Sequence, residues 1–299
     1  MSDPRRKRAL AFLALLVGGA AIAFSPIFVR LADVGPMQSA FWRVALAVPF
    51  LAVWAIGTLR RERAHRALRD APAMSPMSLR PVFAAGLFFA GDLGFWHLSI
   101  VYTTVANASL LANFAPIFVA LGGWLVFRQR VTRLFLVALA ISLAGAALLV
   151  GPSFGIEGTR VMGDAFGGIT AMFYGAYMLA IWRSRDSGGT AAVMAISSAV
   201  SAVLLLPVAL AWGGGLFPQS SHGWLILLGL AVIPQVLGQS LIAYAMAHLP
   251  ASISSLSLLI QPVLAAVYAT VLLGEGMGGM QIAGGAIVLA GIYLARRSG

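Results

Sequence analysis

The chain alternates long apolar runs with short polar segments. A helix needs about 20 apolar residues to cross the hydrocarbon core of a bilayer, and ten runs have about that length. Almost no loop separates the third run from the fourth, or the eighth from the ninth, so this count requires a turn at both places. The pattern predicts an all-α integral membrane protein with ten transmembrane helices, which we call the first to the tenth span: 9–29, 37–58, 81–101, 104–127, 132–150, 163–182, 191–212, 223–247, 251–273 and 278–295.

Two segments carry the same pattern 146 residues apart. Pro116 and Pro262 lie near the middle of the fourth and ninth spans, and at the same offset Ser109 corresponds to Ser255. Apolar segments repeated in matching order are typical of secondary transporters. The sequence therefore predicts an internal duplication.

The predicted repeats each contain five spans. The first repeat covers residues 1–150 and the second covers residues 163–299, with a linker at 151–162 on the outer side of the membrane. Because five is an odd number, the second repeat must enter the membrane from the opposite side. The duplication is thus predicted to be inverted.

The placement of Lys and Arg predicts the orientation of the chain. In this topology 17 of the 20 Lys and Arg residues fall on one side of the membrane, whereas Arg30 and Arg160 fall on the other and Arg43 lies within the second span. Cytoplasmic loops carry the excess of Lys and Arg in membrane proteins. Both termini are therefore predicted to be cytoplasmic, and the net charge of +11 does not indicate a nucleic-acid partner.

The amino terminus also fits a second interpretation. The basic residues 5–8, an apolar run and the small residues at 21–23 are typical of a cleaved signal peptide. We favour a span because the apolar run continues to Val29. Cleavage would leave the first repeat one helix short.

Composition and motifs argue against an enzyme. Hydrophobic residues make up 60% of the chain and charged residues 10%, against roughly a quarter charged in soluble domains. The sequence has no cysteine, no Gly-x-x-x-x-Gly-Lys phosphate loop and no His-Glu-x-x-His zinc site. Asp92 has no second mid-span acid, which an intramembrane aspartyl protease would need. We expect no catalytic activity, no cofactor and no metal.

Two motifs carry a resemblance to a known family. Residues 95–111 are followed by Pro116, and residues 244–256 are followed by Pro262 and by Gly274-Glu275. Over essentially the whole chain they resemble the drug/metabolite transporter superfamily, EamA type. Arg43, within Phe41-Trp42-Arg43, fits the arginine that such proteins often carry in their second helix. In the first unit Arg128-Gln129 stands where a Gly-Glu pair is expected.

The resemblance implies export of small metabolites across the bacterial inner membrane by alternating access, without ATP hydrolysis. Within the superfamily the chain looks most similar to bacterial amino-acid exporters of the YddG kind. We expect two five-helix bundles to rock about a central cavity lined by the third, fourth, sixth, eighth and ninth spans. The partners expected are a small-molecule substrate and the lipid bilayer, and the small-residue runs need only packing within one chain, so a monomer is expected.

Inverted-repeat carriers bind their substrate near mid-membrane, often where matching helices are interrupted. Pro116 and Pro262 each remove a helical hydrogen bond, so both are candidate kinks or hinges. The alternative is that they only bend helices for packing. Arg43 lies near the outer end of its span, where it can snorkel or pair with a helix carbonyl as a structural or gating charge.

The candidate substrate-binding residues are the few polar or aromatic side chains within spans. Asp92 leads them, because an acid deep in the bilayer is a functional candidate by default; its structural alternative is a neutral carboxyl between helices. Uncharged amides and hydroxyls suit a zwitterion, although they also join helices. The candidates are Asp92, Trp96 and Ser99 on one face of the third span, Ser109 and Asn113, Tyr174 and Tyr177, Gln235 and Gln239, and Ser254 and Gln261.

These residues favour an exporter of amino acids, including aromatic or other apolar ones. A broad-specificity drug or metabolite efflux carrier and a passive channel stay open as alternatives. Proton coupling is also open; if it exists, Asp92 is the group expected to titrate.

Overall fold

The computed structural model describes residues 4–67, 77–103, 105–129, 131–150, 158–184, 189–274 and 276–297. Within these ranges the chain is helical and forms no strand. A lipid-facing segment has no water with which its backbone N–H and C=O groups can form hydrogen bonds. A helix satisfies these groups internally, which explains why the long apolar runs are helical. The helices are α1 Pro4–Ile22, α2 Ser25–Leu31, α3 Pro36–Ala45, α4 Ala47–Ala67, α5 Leu79–Tyr102, α6 Val105–Ala112, α7 Ala115–Leu125, α8 Arg133–Val150, α9 Gly158–Arg183, α10 Thr190–Ala211, α11 Ser221–Leu230, a π-helical segment Ala231–Gln239, α12 Ser240–Met246, α13 Ala251–Ser257, α14 Ile260–Leu273 and α15 Gly279–Arg296.

The described residues contain nine helices that are long and apolar enough to cross a membrane. They coincide with the predicted spans except the fifth, where the apolar helix Arg133–Leu149 is shorter. The chain is therefore a multi-pass membrane protein. Of the predicted linker, residues 151–157 lie outside the described residues, as does Glu275, and α9 begins at Gly158.

Several spans are interrupted rather than continuous. The first is broken between α1 and α2, the fourth between α6 and α7, and the ninth between α13 and α14. In each case a proline follows within the first three residues of the second half: Pro26, Pro116 and Pro262. Proline has no N–H and crowds the carbonyl four residues earlier, so an α-helix cannot continue regularly through it. The eighth span instead becomes π-helical around Pro234, a form that relaxes such a conflict.

Helices of the two predicted repeats are interleaved. The third span packs extensively on the sixth, the first on the eighth, the second on the seventh and the fifth on the tenth. Two separate five-helix bundles, which we expected from the sequence, are therefore not what the structure contains.

The fifth and tenth spans approach so closely that their backbones touch. A Cβ added to Gly284 would lie 2.5 Å from the Leu149 backbone nitrogen, and one added to Gly145 would lie 2.7 Å from the Val288 backbone nitrogen. Small residues allow this approach in membranes, where close van der Waals contact drives helix association. These glycines anchor the side of the molecule that contains α8 and α15.

Candidate functional site

A cavity of about 100 Å³ lies among the interrupted helices. Its walls come from the first, second, third, fourth, sixth, eighth and ninth spans, so helices of both predicted repeats contribute. Most of the walls are apolar, with a few polar side chains between them. The lining residues are Ile22, Ala23, Ser25, Pro26, Arg43, Asp92, Leu93, Trp96, Ser109, Ala112, Asn113, Tyr174, Gln239, Gln261, Pro262 and Ala265.

The structure brings together most of the site residues that the sequence predicted. Seven of the eleven candidate binding residues line this cavity, together with Arg43 and Pro262. Their sequence positions span both halves of the chain, and only the fold places them side by side. The seven are Asp92, Trp96, Ser109, Asn113, Tyr174, Gln239 and Gln261.

Two of the other candidates lie in helix contacts or behind the wall. The Ser99 hydroxyl donates to the Gly163 carbonyl at 2.7 Å, which joins the third and sixth spans. Tyr177 lies behind Gln239, to whose Oε1 its hydroxyl donates at 3.4 Å. Both side chains are buried and neither lines the cavity. Their contacts support packing and, for Tyr177, the position of a cavity residue.

Ser254 and Pro116 also lie outside the cavity walls. Both are buried, and among the residues that the structure describes the Ser254 hydroxyl has no hydrogen-bond partner. Pro116 affects the cavity indirectly. It has no N–H, so the carbonyl of Ala112, a lining residue, lacks its usual helical donor. Gln235, the remaining candidate, contacts Arg43 instead of the cavity.

Arg43 is the basic side chain in the cavity wall, and it is only 4% exposed. Its Nε donates to the Gln235 Oε1 at 3.2 Å, and the Gln235 Nε2 donates to the Ser198 hydroxyl at 3.2 Å. This chain of hydrogen bonds crosses from the second span through the eighth to the seventh. The guanidinium also lies 5.7 Å from the centre of the Phe89 ring, a distance at which cation and ring attract.

Asp92 is the acidic side chain in the wall and is 8% exposed. Among the described residues no hydrogen bond and no ion pair within 4.0 Å reaches its carboxylate. The cavity wall therefore contains one basic and one acidic side chain, and among the described residues no ion pair within 4.0 Å joins them.

Helix interruptions add hydrogen-bond acceptors to the same walls. Pro26 and Pro116 leave the carbonyls of Ile22 and Ala112 without their helical donors, and both of these residues line the cavity. The Asn113 Nδ2 donates to the Ser109 carbonyl at 2.6 Å, so its Oδ1 keeps its capacity to accept. Such acceptors at unwound helix segments bind cations or ammonium groups in carriers.

The sequence did not predict the contribution of the first span. Ile22, Ala23, Ser25 and Pro26 all line the cavity. A signal was present, because Pro26 lies within an apolar run in the same way as the prolines of the fourth and ninth spans. The repeat drew attention to those two prolines, whereas Pro26 has no counterpart at the matching offset, where Met172 stands.

Comparison with known proteins gives one family. The sequence model of the EamA-like transporter family matches residues 9–151 and again residues 161–297. A solved crystal structure superposes with a TM-score of 0.76 over 98% of both chains, at 18% sequence identity. At that identity the superposition establishes the fold alone.

Relatives with sequence similarity include transporters from archaea and bacteria. An uncharacterized transporter of Archaeoglobus fulgidus is 25% identical over 95% of both chains. The pseudopaline exporter CntI of Pseudomonas aeruginosa is 28% identical over 75% of this chain and 78% of its own. A probable terminal-alkyne amino-acid exporter of Streptantibioticus cattleyicolor is 29% identical over 97% of this chain and 94% of its own.

Proposed function

Because the chain belongs to the EamA-like transporter family, we propose that it exports small metabolites, above all amino acids with aromatic or other apolar side chains, across the bacterial inner membrane. The observation that carries this proposal is the cavity, which combines two opposite charges, amides and hydroxyls with apolar walls at the interruptions of helices. The names of two relatives support export, and one of them, a probable terminal-alkyne amino-acid exporter, supports a cargo of amino-acid type.

The proposed topology has ten spans in two inverted repeats with both termini in the cytoplasm. A pseudo-twofold axis between the repeats would exchange the first span with the sixth and the third span with the eighth. If the third span packs on the sixth, this symmetry requires the first span to pack on the eighth. Both packings occur. At 1.5 Å per residue α8 (Arg133–Val150), the helix of the fifth span, measures about 27 Å, close to the thickness of about 30 Å that a span must cross.

Contacts at the two ends of the bundle support the same topology. The Arg296 guanidinium lies 4.8 Å from the centre of the Phe12 ring, which pairs the end of the tenth span with the start of the first. At the opposite end the Trp42 Nε1 donates to the Leu216 carbonyl. Each contact joins ends that the proposed topology places on one side.

Single cysteines test this topology, since the native chain has none. Arg63→Cys lies at the proposed inner end of the second span and Gln219→Cys in the proposed outer loop before the eighth, and both positions are exposed. A membrane-impermeant maleimide added to spheroplasts should label only Gln219→Cys, and should label Arg63→Cys after permeabilisation. Labelling of Arg63→Cys in sealed spheroplasts would contradict the orientation.

We propose alternating access around the cavity, with the interleaved helices moving as mixed units. A passive channel would not need a cavity built from matched halves, and a broad-specificity efflux carrier would not need a group of each charge. The single acid of the cavity wall, Asp92, is the proposed site of any proton coupling. The proposed working unit is the monomer.

Flux screening tests the proposed export directly. The purified protein is reconstituted into liposomes loaded with the twenty radiolabelled L-amino acids, one at a time, and the exit of label is followed. We expect accelerated exit of phenylalanine and other apolar amino acids, and its loss in Asp92→Asn. Glu62→Gln, which removes an exposed carboxylate at the inner end of the second span, is the matched control. Exit of all twenty at the rate of protein-free liposomes would overturn the proposal for amino acids.

A further inference from the structure

Two buried ionisable side chains, one basic and one acidic, share the cavity without forming a direct pair. Arg43 and Asp92 are each more than nine-tenths buried and both line the walls. Within the part of the chain that the structure describes, no ion pair within 4.0 Å joins them. A buried charge without a close counter-charge is unfavourable. The arrangement therefore leaves both groups available to a ligand that carries the two complementary charges.

The Arg43 side chain is oriented for recognition of an anion. Gln235 accepts a hydrogen bond from the Arg43 Nε and donates one to the Ser198 hydroxyl. This chain of hydrogen bonds, which we call the relay, fixes one edge of the guanidinium. Among the described residues no hydrogen bond uses the two Nη groups. Arg43 lines the cavity wall, so its guanidinium is part of the surface that a ligand would meet. Two parallel N–H groups in this form match a carboxylate.

The cavity walls contain several hydrogen-bond acceptors besides the Asp92 carboxyl. One is the Asn113 Oδ1, because the amide nitrogen of Asn113 already donates to the Ser109 carbonyl. The carbonyls of Ile22 and Ala112 lack helical donors for the reason given above. An ammonium group donates three hydrogen bonds and carries the charge that Asp92 lacks nearby. The acceptors in the cavity walls therefore suit an ammonium group.

The cavity also has apolar surface. Leu93, Trp96, Pro262 and Ala265 belong to the same walls, and they suit an apolar or aromatic side chain. We infer that the cavity recognises its cargo as a zwitterion, with Arg43 binding the carboxylate and Asp92 binding the ammonium group, while Gln235 and Ser198 hold Arg43 in position. This inference rests on the proposed function, because it assigns the ends of the cargo in the same cavity.

A binding experiment with three ligands of one shape tests the inference. L-Phenylalanine carries both charges, phenethylamine lacks the carboxylate, and 3-phenylpropanoate lacks the ammonium group. Each is titrated calorimetrically into the full chain in lipid nanodiscs. We expect L-phenylalanine to bind at least about tenfold more tightly than either analogue, because a site built around a polar group rejects ligands without it.

Variants assign the two ends. Arg43→Gln should abolish the preference for L-phenylalanine over phenethylamine, and Asp92→Asn should abolish the preference over 3-phenylpropanoate. Arg63→Gln and Glu62→Gln remove exposed charges of the same signs at the inner end of the second span and should change neither ratio. Equal affinities of the wild type for the three ligands, or the opposite assignment in the variants, would overturn the inference.

The double variant Arg43→Gln/Asp92→Asn separates recognition from mutual stabilisation. If the two charges served only to neutralise each other, removing both would restore the binding that each single variant loses. We expect the double variant to bind L-phenylalanine no better than either single variant. Restored binding would overturn the assigned roles.

The proposed export and this inference can fail separately. If none of the three ligands binds, while the liposomes still export another metabolite, the zwitterion site is overturned and export stands. If L-phenylalanine binds with the expected ratios but no labelled compound leaves the liposomes, the binding site stands and the export proposal fails.

Discussion

Arg43 depends on a partner that is distant in the chain. Gln235 lies 192 residues away and accepts its Nε hydrogen bond, and the Phe89 ring faces the guanidinium. A buried arginine without such contacts would carry an unsatisfied donor as well as an unpaired charge. The relay from Arg43 through Gln235 to Ser198 thus holds Arg43 in position, although Gln235 and Ser198 lie away from the cavity.

The relay gives a prediction for Gln235. Gln235→Leu removes the acceptor at Arg43, and a buried donor left without its partner costs about 1–3 kcal/mol. We expect L-phenylalanine to bind about tenfold more weakly, while phenethylamine, which does not use Arg43, binds as before. Calorimetric titration of both ligands measures the effect.

Gln219→Leu is the matched control, because Gln219 is exposed in the loop before the eighth span. If Gln235→Leu weakened both ligands equally, the residue would have a general structural role. The positional assignment would then be wrong.

At the scale of single residues, the sequence predicted the burial of Asp92 better than the burial of Arg43. Asp92 lies near the middle of the predicted third span, 81–101, too far from either end to reach bulk water, so its burial inside the protein follows from its position in the sequence. Arg43 lies about two turns from the outer end of its helix, within the reach of a snorkelling side chain. Only the tertiary contact with Gln235 decides that it points inward, and a contact across 192 residues leaves no local pattern.

Interrupted helices are the elements that form the cavity. Three of them break close to a proline, and two of the carbonyls released in this way belong to lining residues. The fourth and ninth spans face each other through α7 and α13. The cavity thus follows from where the helices cannot remain regular.

Restoring a regular helix should therefore impair transport. Pro116→Ala supplies the missing N–H to the Ala112 carbonyl and allows α6 and α7 to join. We expect the exit of labelled phenylalanine from liposomes to slow by about tenfold, with the unfolding temperature unchanged or higher, since proline costs about 3 kcal/mol within a helix. Pro207→Ala is the control, because Pro207 lies within α10 and is exposed on the outside of the bundle. Equal exit rates in the two variants would contradict the role of the interruption.

Close packing of α8 on α15 gives a prediction about stability. Gly284→Val places a side chain 2.5 Å from the Leu149 backbone nitrogen, and overpacking of this kind costs about 1–3 kcal/mol. The midpoint of thermal unfolding, followed by tryptophan fluorescence in detergent, should fall by several degrees. Gly57→Val should leave it unchanged, since no atom of the described residues lies within 4 Å of a Cβ at Gly57. An unchanged midpoint in Gly284→Val would show that the two helices separate without loss.

The elements were predictable where the sequence repeats itself. Apolar length gave the positions of the spans, and the matched prolines indicated breaks in the fourth and ninth. The break before Pro26 has the same physical cause but no match in the other half. The π-helical segment around Pro234 could not be predicted, because a single proline is compatible with a kink or a π-bulge and the neighbouring helices select between them.

The whole molecule is a set of interleaved helices around a cavity with charges of both signs. Helix pairs that cross between the two halves leave no separate bundle to rock, so any change of access must slide or tilt helices of both halves together. Periodicity and charge placement indicate which segments enter the membrane, but helix order in space depends on long-range packing. That is why the sequence predicted the spans and missed the interleaving.

Counterflow in proteoliposomes tests most directly whether this cavity carries its cargo by alternating access. Liposomes containing the protein are loaded with unlabelled L-phenylalanine and diluted into a trace of labelled L-phenylalanine. The account predicts a transient accumulation of label above its external concentration, present in Arg63→Gln and absent in Arg43→Gln and Asp92→Asn. Equilibration of label without any overshoot in the wild type, at a rate independent of the internal load, would identify a passive pore and contradict the account.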